Sequence, residues 1–133
     1  AATLNLDGSN QPNNSAAVAS KIHYINNVAA NITASVGGLP AAQPGQGIQF
    51  HIFPDSADTA GALAAINADQ YGTAGALNFN YQNQGSPQTL TADTGTNTTI
   101  HDQNIVYAAG LPGDLPTPNG YDVVVTYTIT QNP

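Results

Sequence analysis

NGYDVVVTYTITQNP, residues 119–133, carries the most regular pattern in the chain. Tyr121, Val123, Val125, Tyr127 and Ile129 fall on one side, and Asp122, Val124, Thr126, Thr128 and Thr130 on the other. A period of two over this length is the mark of a strand with one face in a core and one in water. Asn119-Gly120 supplies the turn that precedes it. The stretch reads as a last strand whose free edge needs something to cover it.

The same period recurs upstream. Ile22 and Tyr24 share a face, and Asn26-Asn27 turns the chain. Val28, Ala30, Ile32, Ala34 and Val36 then alternate with Asn31, Thr33 and Ser35 until Gly37-Gly38. Ile48, Phe50 and Ile52 alternate with Gln49 and His51, which the pattern puts on the polar, solvated side. Leu77, Phe79 and Tyr81 predict a further strand, Gln88–Ala92 another, and Thr98–Tyr107 one or two more with a phase break near Asp102-Gln103. The one helical candidate is DSADTAGALAAINADQ, with Asp55 or Ser56 as N-cap and Gly61 weakening it. Seven to nine short strands with at most one short helix predict an all-β fold, an Ig-like antiparallel β-sandwich.

Composition narrows the function. Of 133 residues only one is basic, Lys21, against eight acidic, all of them Asp, for a net charge of −7. Such a chain lacks the Lys and Arg that displace counterions from nucleic acid or bind an anionic membrane surface. It has no Cys, hence neither a disulfide frame nor a thiolate metal site. No stretch reaches the ~18 apolar residues of a membrane span. Its polarity comes from Asn, Gln, Thr and Ser. Ala1-Ala2-Thr3 without Met is what removal of a signal peptide at a small-residue site leaves, so export is the expectation.

Chemistry is thinly represented. His23, His51 and His101 show no HxH or HxxxH spacing, and solvated strand histidines are the plainer reading. Asp55, Asp58 and Asp93 are weak calcium candidates, since they lie in loops but match no DxDxDG motif; turn-capping Asp is the alternative. There is no GxSxG elbow, no Glu pair and no phosphate-binding glycine motif, so no catalytic residue and no cofactor is expected. Lys21 opens a strand; an isopeptide bond to Asn or Asp is the sharper reading and an edge lysine the plainer one. Sequons begin at Asn13, Asn31 and Asn97, each a candidate glycosylation site in an organism that glycosylates.

At the other end, Ala2, Leu4 and Leu6 alternate with Thr3 and Asn5, and GSNQPNNSA (8–16) follows without periodicity. The layout of a detached apolar strand, a polar linker, a sandwich and a closing strand resembles subunits of extracellular filaments built by donor-strand complementation. These are chaperone–usher pilins, spore-coat-U-like pilins and archaeal thread-type subunits. Gly120-Tyr121-Asp122-Val123-Val124-Val125-Thr126-Tyr127-Thr128-Ile129-Thr130 is similar to the G-x-Y-x-x-x-V-x-x-T-I close of many pilins, although the Cys pair of many chaperone–usher pilins is missing.

The resemblance implies a donor strand over 1–8 (Ala2, Leu4, Leu6), a linker over 9–16 and a sandwich over 17–133. Its acceptor groove would be walled by Tyr121, Val123, Val125, Tyr127 and Ile129. It further implies head-to-tail self-association into an extracellular homopolymer, with an assembly chaperone as a candidate second partner. Physics points the same way, because an incomplete sandwich exposes ladder groups and an apolar groove that invite strand addition. Two alternatives stay open. Residues 2–6 could fold back to complete a monomeric adhesion or carbohydrate-binding module, although Trp is absent and most tyrosines fall on inward faces. The chain could also decorate a virion or appendage.

Overall fold

The computed structural model describes residues 3–6, 14–42, 47–111 and 121–133. Seven strands and one helix follow in the order β1 (Asn14–Asn26), β2 (Ala30–Gly37), β3 (Gln49–Pro54), α1 (Thr59–Ala68), β4 (Leu77–Phe79), β5 (Gln88–Thr91), β6 (Asn97–Leu111) and β7 (Val124–Gln131). They form two antiparallel sheets, ordered β1-β6-β3-β4 and β5-β2-β7. One core joins them. Ile32, Ala34 and Val36 from β2 and Leu90 from β5 meet Phe50, Ile52, Phe79, Ile105 and Ala109 from the other sheet. The all-β, two-sheet expectation therefore holds.

β2 follows its sequence pattern closely. Ala30, Ile32, Ala34 and Val36 are buried, and the residues between them are half-buried on the outer face. Val28 departs from it: the strand begins two residues later and Val28 is exposed in the corner between the sheets. The cause is Asn26, whose Nδ2 donates to the Val28 carbonyl (2.8 Å), Thr94 Oγ1 (2.9 Å) and the Gly95 carbonyl (2.6 Å), fixing the corner before β2 can start. Leu77–Tyr81 is likewise shortened. Asn80 and Asn83 each accept from the other's backbone N–H, at 2.7 and 2.9 Å, and close a turn that leaves Tyr81 exposed. β6 runs unbroken to Leu111; its register irregularity against β1 falls between its residues 97 and 101 rather than at 102–103.

Residues 14–16, expected to belong to a linker, are strand. Asn14, Ser15 and Ala16 pair with Leu111, Gly110 and Ala109, so β1 takes them into the sandwich. Residues 7–13 lie outside the described residues.

The largest correction concerns the outer face of the four-stranded sheet. Gln49 and His51, expected in solvent, are 4% and 0% exposed. They share that face with Val106, Ala108 and Gly110 of β6, and with Ser15 of β1. Helix α1 packs over β1 and β6 through its buried Ala62 and Ile66, and Ser15 Oγ donates to Asn67 Oδ1 at 2.9 Å. The helix is capped by Asp58, whose Oδ1 accepts from Gly61 N–H at 2.9 Å. A Cβ on Gly61 would lie 2.5 Å from Asp58 Oδ2, so the glycine that weakens helix propensity is what admits the cap.

Burial is the main reason that the His51 imidazolium is disfavoured; its bond to Asn78 and the charge of Asp69 oppose the shift without cancelling it. The folded-state pKa is therefore below the ordinary 6.5. The stability this histidine contributes is complete above pH 6.5 and is lost as pH falls below it, because the unfolded chain takes up a proton that the folded chain refuses. Equilibrium urea unfolding across this range is expected to show a slope bounded by about 1.4 kcal/mol per pH unit. His51→Leu is expected to remove that component.

Candidate functional site

The candidate site is the outer edge of β7. Along its full length β7 pairs with β2, from Val124↔Gly37 to Gln131↔Ala30. Among the described residues no strand pairs with its other side. In an antiparallel ladder alternate residues turn N–H and C=O outward, so this side is a template for a further strand.

The side chains match that picture. Val123, Val125 and Tyr127 lie half-buried against the core, while Tyr121 and Ile129 remain 39% and 47% exposed. No residue of β7 is buried, in contrast to the inward face of β2 next to it. The five residues assigned to the groove thus divide into a half-buried middle and two exposed ends. Thr126, Thr128 and Thr130 are exposed, and Val124 is exposed beside them.

One polar contact ties this strand across the core. Tyr107 and Tyr127 hydroxyls meet at 2.5 Å, joining β6 to β7 and hence one sheet to the other. Burial raises both phenols above the ordinary tyrosine range, most strongly Tyr127, so both stay protonated and one donates to the other. Tyr127→Phe strands the Tyr107 hydroxyl in a half-buried place and is expected to cost about 1–3 kcal/mol. The measurement is the urea midpoint, which should fall with no change in the slope of unfolding free energy against urea.

β7 starts beside Gly38. This residue has φ 93°, and a Cβ on it would stand 2.1 Å from the Asp122 carbonyl oxygen. Only glycine lets the approach to β7 run so close to the end of β2.

The N-terminal segment comes to the same core. Leu4 and Leu6 are half-buried against it and Thr3 and Asn5 are exposed, which reproduces the expected alternation. Residues 3–6 form no strand. Ala2 lies outside the described residues.

The other candidates are dispersed. His23 on β1 faces Asp102 on β6, with Nδ1 and Oδ1 2.5 Å apart on an exposed surface. This bond holds the Asp102 carboxyl below its ordinary value. His101 stacks obliquely on Tyr24, with ring centroids 5.1 Å apart. His23 and His101 thus hold neighbouring register positions on opposite faces of the β1–β6 pair, and among the described residues no group of three metal-ligating side chains forms.

Asp58 caps α1, Asp93 accepts from Gly95 N–H at 2.9 Å, and Asp55 adopts φ 57° beyond β3, so the first two act as caps. Lys21 is exposed opposite Asn104, outside the buried setting an isopeptide would need. Of the sequons, Asn13 lies outside the described residues. Asn31 is half-buried on the outer face of β2, opposite Thr130. Asn97 donates through Nδ2 to Asn26 Oδ1 (2.9 Å) and the Thr94 carbonyl (3.2 Å), bonds that a glycan on that nitrogen would disturb.

Sequence alone misses the buried polar layer under α1. Its one available signal is the helical stretch itself, which must cover some face of a sheet. No helix of the described residues is long and apolar enough to cross a membrane. No protein-family model, curated protein or solved structure matches the chain.

Proposed function

We propose that this chain is the structural subunit of an extracellular filament that polymerises head to tail by donor-strand complementation. In this reading the domain is an Ig-like sandwich left incomplete beside β7. Residues 1–8 of one copy, through Ala2, Leu4 and Leu6, lie along β7 of the next.

The observation that carries the reading is the mismatch at β7. Its inward row is apolar, yet no side chain of it is buried, and no described strand pairs with its outer side. A short alternating apolar segment of the same chain reaches the same core without forming a strand. Such a contact exchanges between copies at little net cost, since similar apolar surface is covered either way. When the exchange is heterologous it repeats without closing. A surface with few charges also suits lateral packing, because little charge has to be desolvated. An assembly chaperone that covers the groove before polymerisation fits this chemistry.

A second reading follows from the same Leu4 and Leu6 contact. If the segment stays on its own domain, the protein is a monomeric module. Size-exclusion chromatography with negative-stain imaging of the purified full chain separates the two. Filaments are expected; a clean 13.6 kDa species at all concentrations would overturn the filament reading.

A further inference from the structure

Among the described residues, three buried polar atoms on the outer side of the four-stranded sheet lack a hydrogen-bond partner: His51 Nε2 and both Nε2 and Oε1 of Gln70. Their placement and chemistry are specific. Asn78 Nδ2 donates to the carbonyls of Thr73 (3.2 Å) and Ala76 (3.3 Å), which leaves Asn78 Oδ1 as an acceptor. That oxygen is 2.7 Å from His51 Nδ1, so Nδ1 carries the ring hydrogen. Nε2 is therefore a bare lone pair, fully enclosed and in need of a donor.

Gln70 is 6% exposed, and its carboxamide lies over Gly110, where its Oε1 would be 3.0 Å from an added Cβ. Gly110 pairs with Gln49, two residues from His51 on the same face of β3. Asp69, next to Gln70, is near enough to act on the His51 charge. The orphaned atoms thus belong to the same face of neighbouring strands β3 and β6, beside the segment that leaves α1.

We propose that this region is a built internal site for one water molecule. The water donates a hydrogen to His51 Nε2 and bonds the Gln70 carboxamide, which offers both an acceptor and a donor. Buried waters characteristically bridge such otherwise unsatisfied groups. The bridge fastens residues 69–73 to β3, and it supplements the cap in which Asp69 Oδ1 accepts from Tyr71 and Gly72 N–H, both at 3.1 Å.

Magic-angle-spinning NMR on the full isotope-labelled chain, which works for soluble and assembled material alike, tests this directly. The expected spectrum shows the His51 proton on Nδ1, an unprotonated Nε2, and a cross-peak from a long-lived water to the ring Hε1. Gln70→Leu is expected to abolish the water cross-peak. A proton on Nε2, a wild-type spectrum with no water cross-peak, or a cross-peak that survives Gln70→Leu would each overturn the proposal. The wild-type measurement decides even if the variant does not fold.

Discussion

A chain lacking residues 1–8 is expected to form no filaments and to remain a soluble acceptor, less stable than the full-length domain. The deletion removes Leu4 and Leu6, both half-buried against the core that Val123, Val125 and Tyr127 also join. Leu4→Asp with Leu6→Asp should have the same effect, because a carboxylate cannot enter an apolar groove without a partner. The loss is all-or-none: a heterologous fibre needs one donor per contact. Light scattering and negative-stain imaging read the result, and a synthetic peptide of residues 1–8 is expected to bind the truncated chain and restore part of its stability. A chain that still polymerises without these residues would show that another surface makes the contact.

The second large effect is expected at Phe79. It is 1% exposed, pairs across from Phe50, and is the single fully buried side chain of the three-residue strand β4. Phe79→Ala is expected to cost about 3–5 kcal/mol, through lost burial and the cavity it leaves. Against a typical total of about 5–15 kcal/mol, this is a large share of the stability. The urea midpoint measures it. Little change would mean that β4 does not close the shared core.

β2 and β7 were legible because each has one apolar face and one polar face, and the two faces do go to different places. The period of two encodes that directly. The same rule misled for β3, where Gln49 and His51 look like a solvent face but are buried, on the sheet face that α1 packs against at β1 and β6. Periodicity records polarity, and a polar residue can also be buried when a helix covers it.

The start of β1 was hidden for a related reason. Ser15 and Ala16 give only a weak signal, yet Ser15 fits beside Gly110 below the helix and Ala16 fits beside Ala109 on the core face. Val28 and Tyr81 were lost to the side-chain bonds of Asn26, Asn80 and Asn83, which depend on partners far away in sequence or on turn geometry. At the candidate site, the alternation of Leu4 and Leu6 and the half-cover of Val123, Val125 and Tyr127 could be anticipated. The exposed ends at Tyr121 and Ile129 could not, since they depend on what lies over each end of the strand.

The central claim is that residues 1–8 of one copy lie along β7 of another. The natural chain has no cysteine, so two introduced thiols are unambiguous reporters. Asn5→Cys and Thr126→Cys together in one chain place them on the exposed sides of the donor segment and of β7. Treatment with a flexible bis-maleimide, followed by a denaturing gel, is the direct measurement. Strand exchange predicts a covalent ladder of multimers at the spacing of one chain. A single band of internally linked monomer at every protein concentration would contradict it.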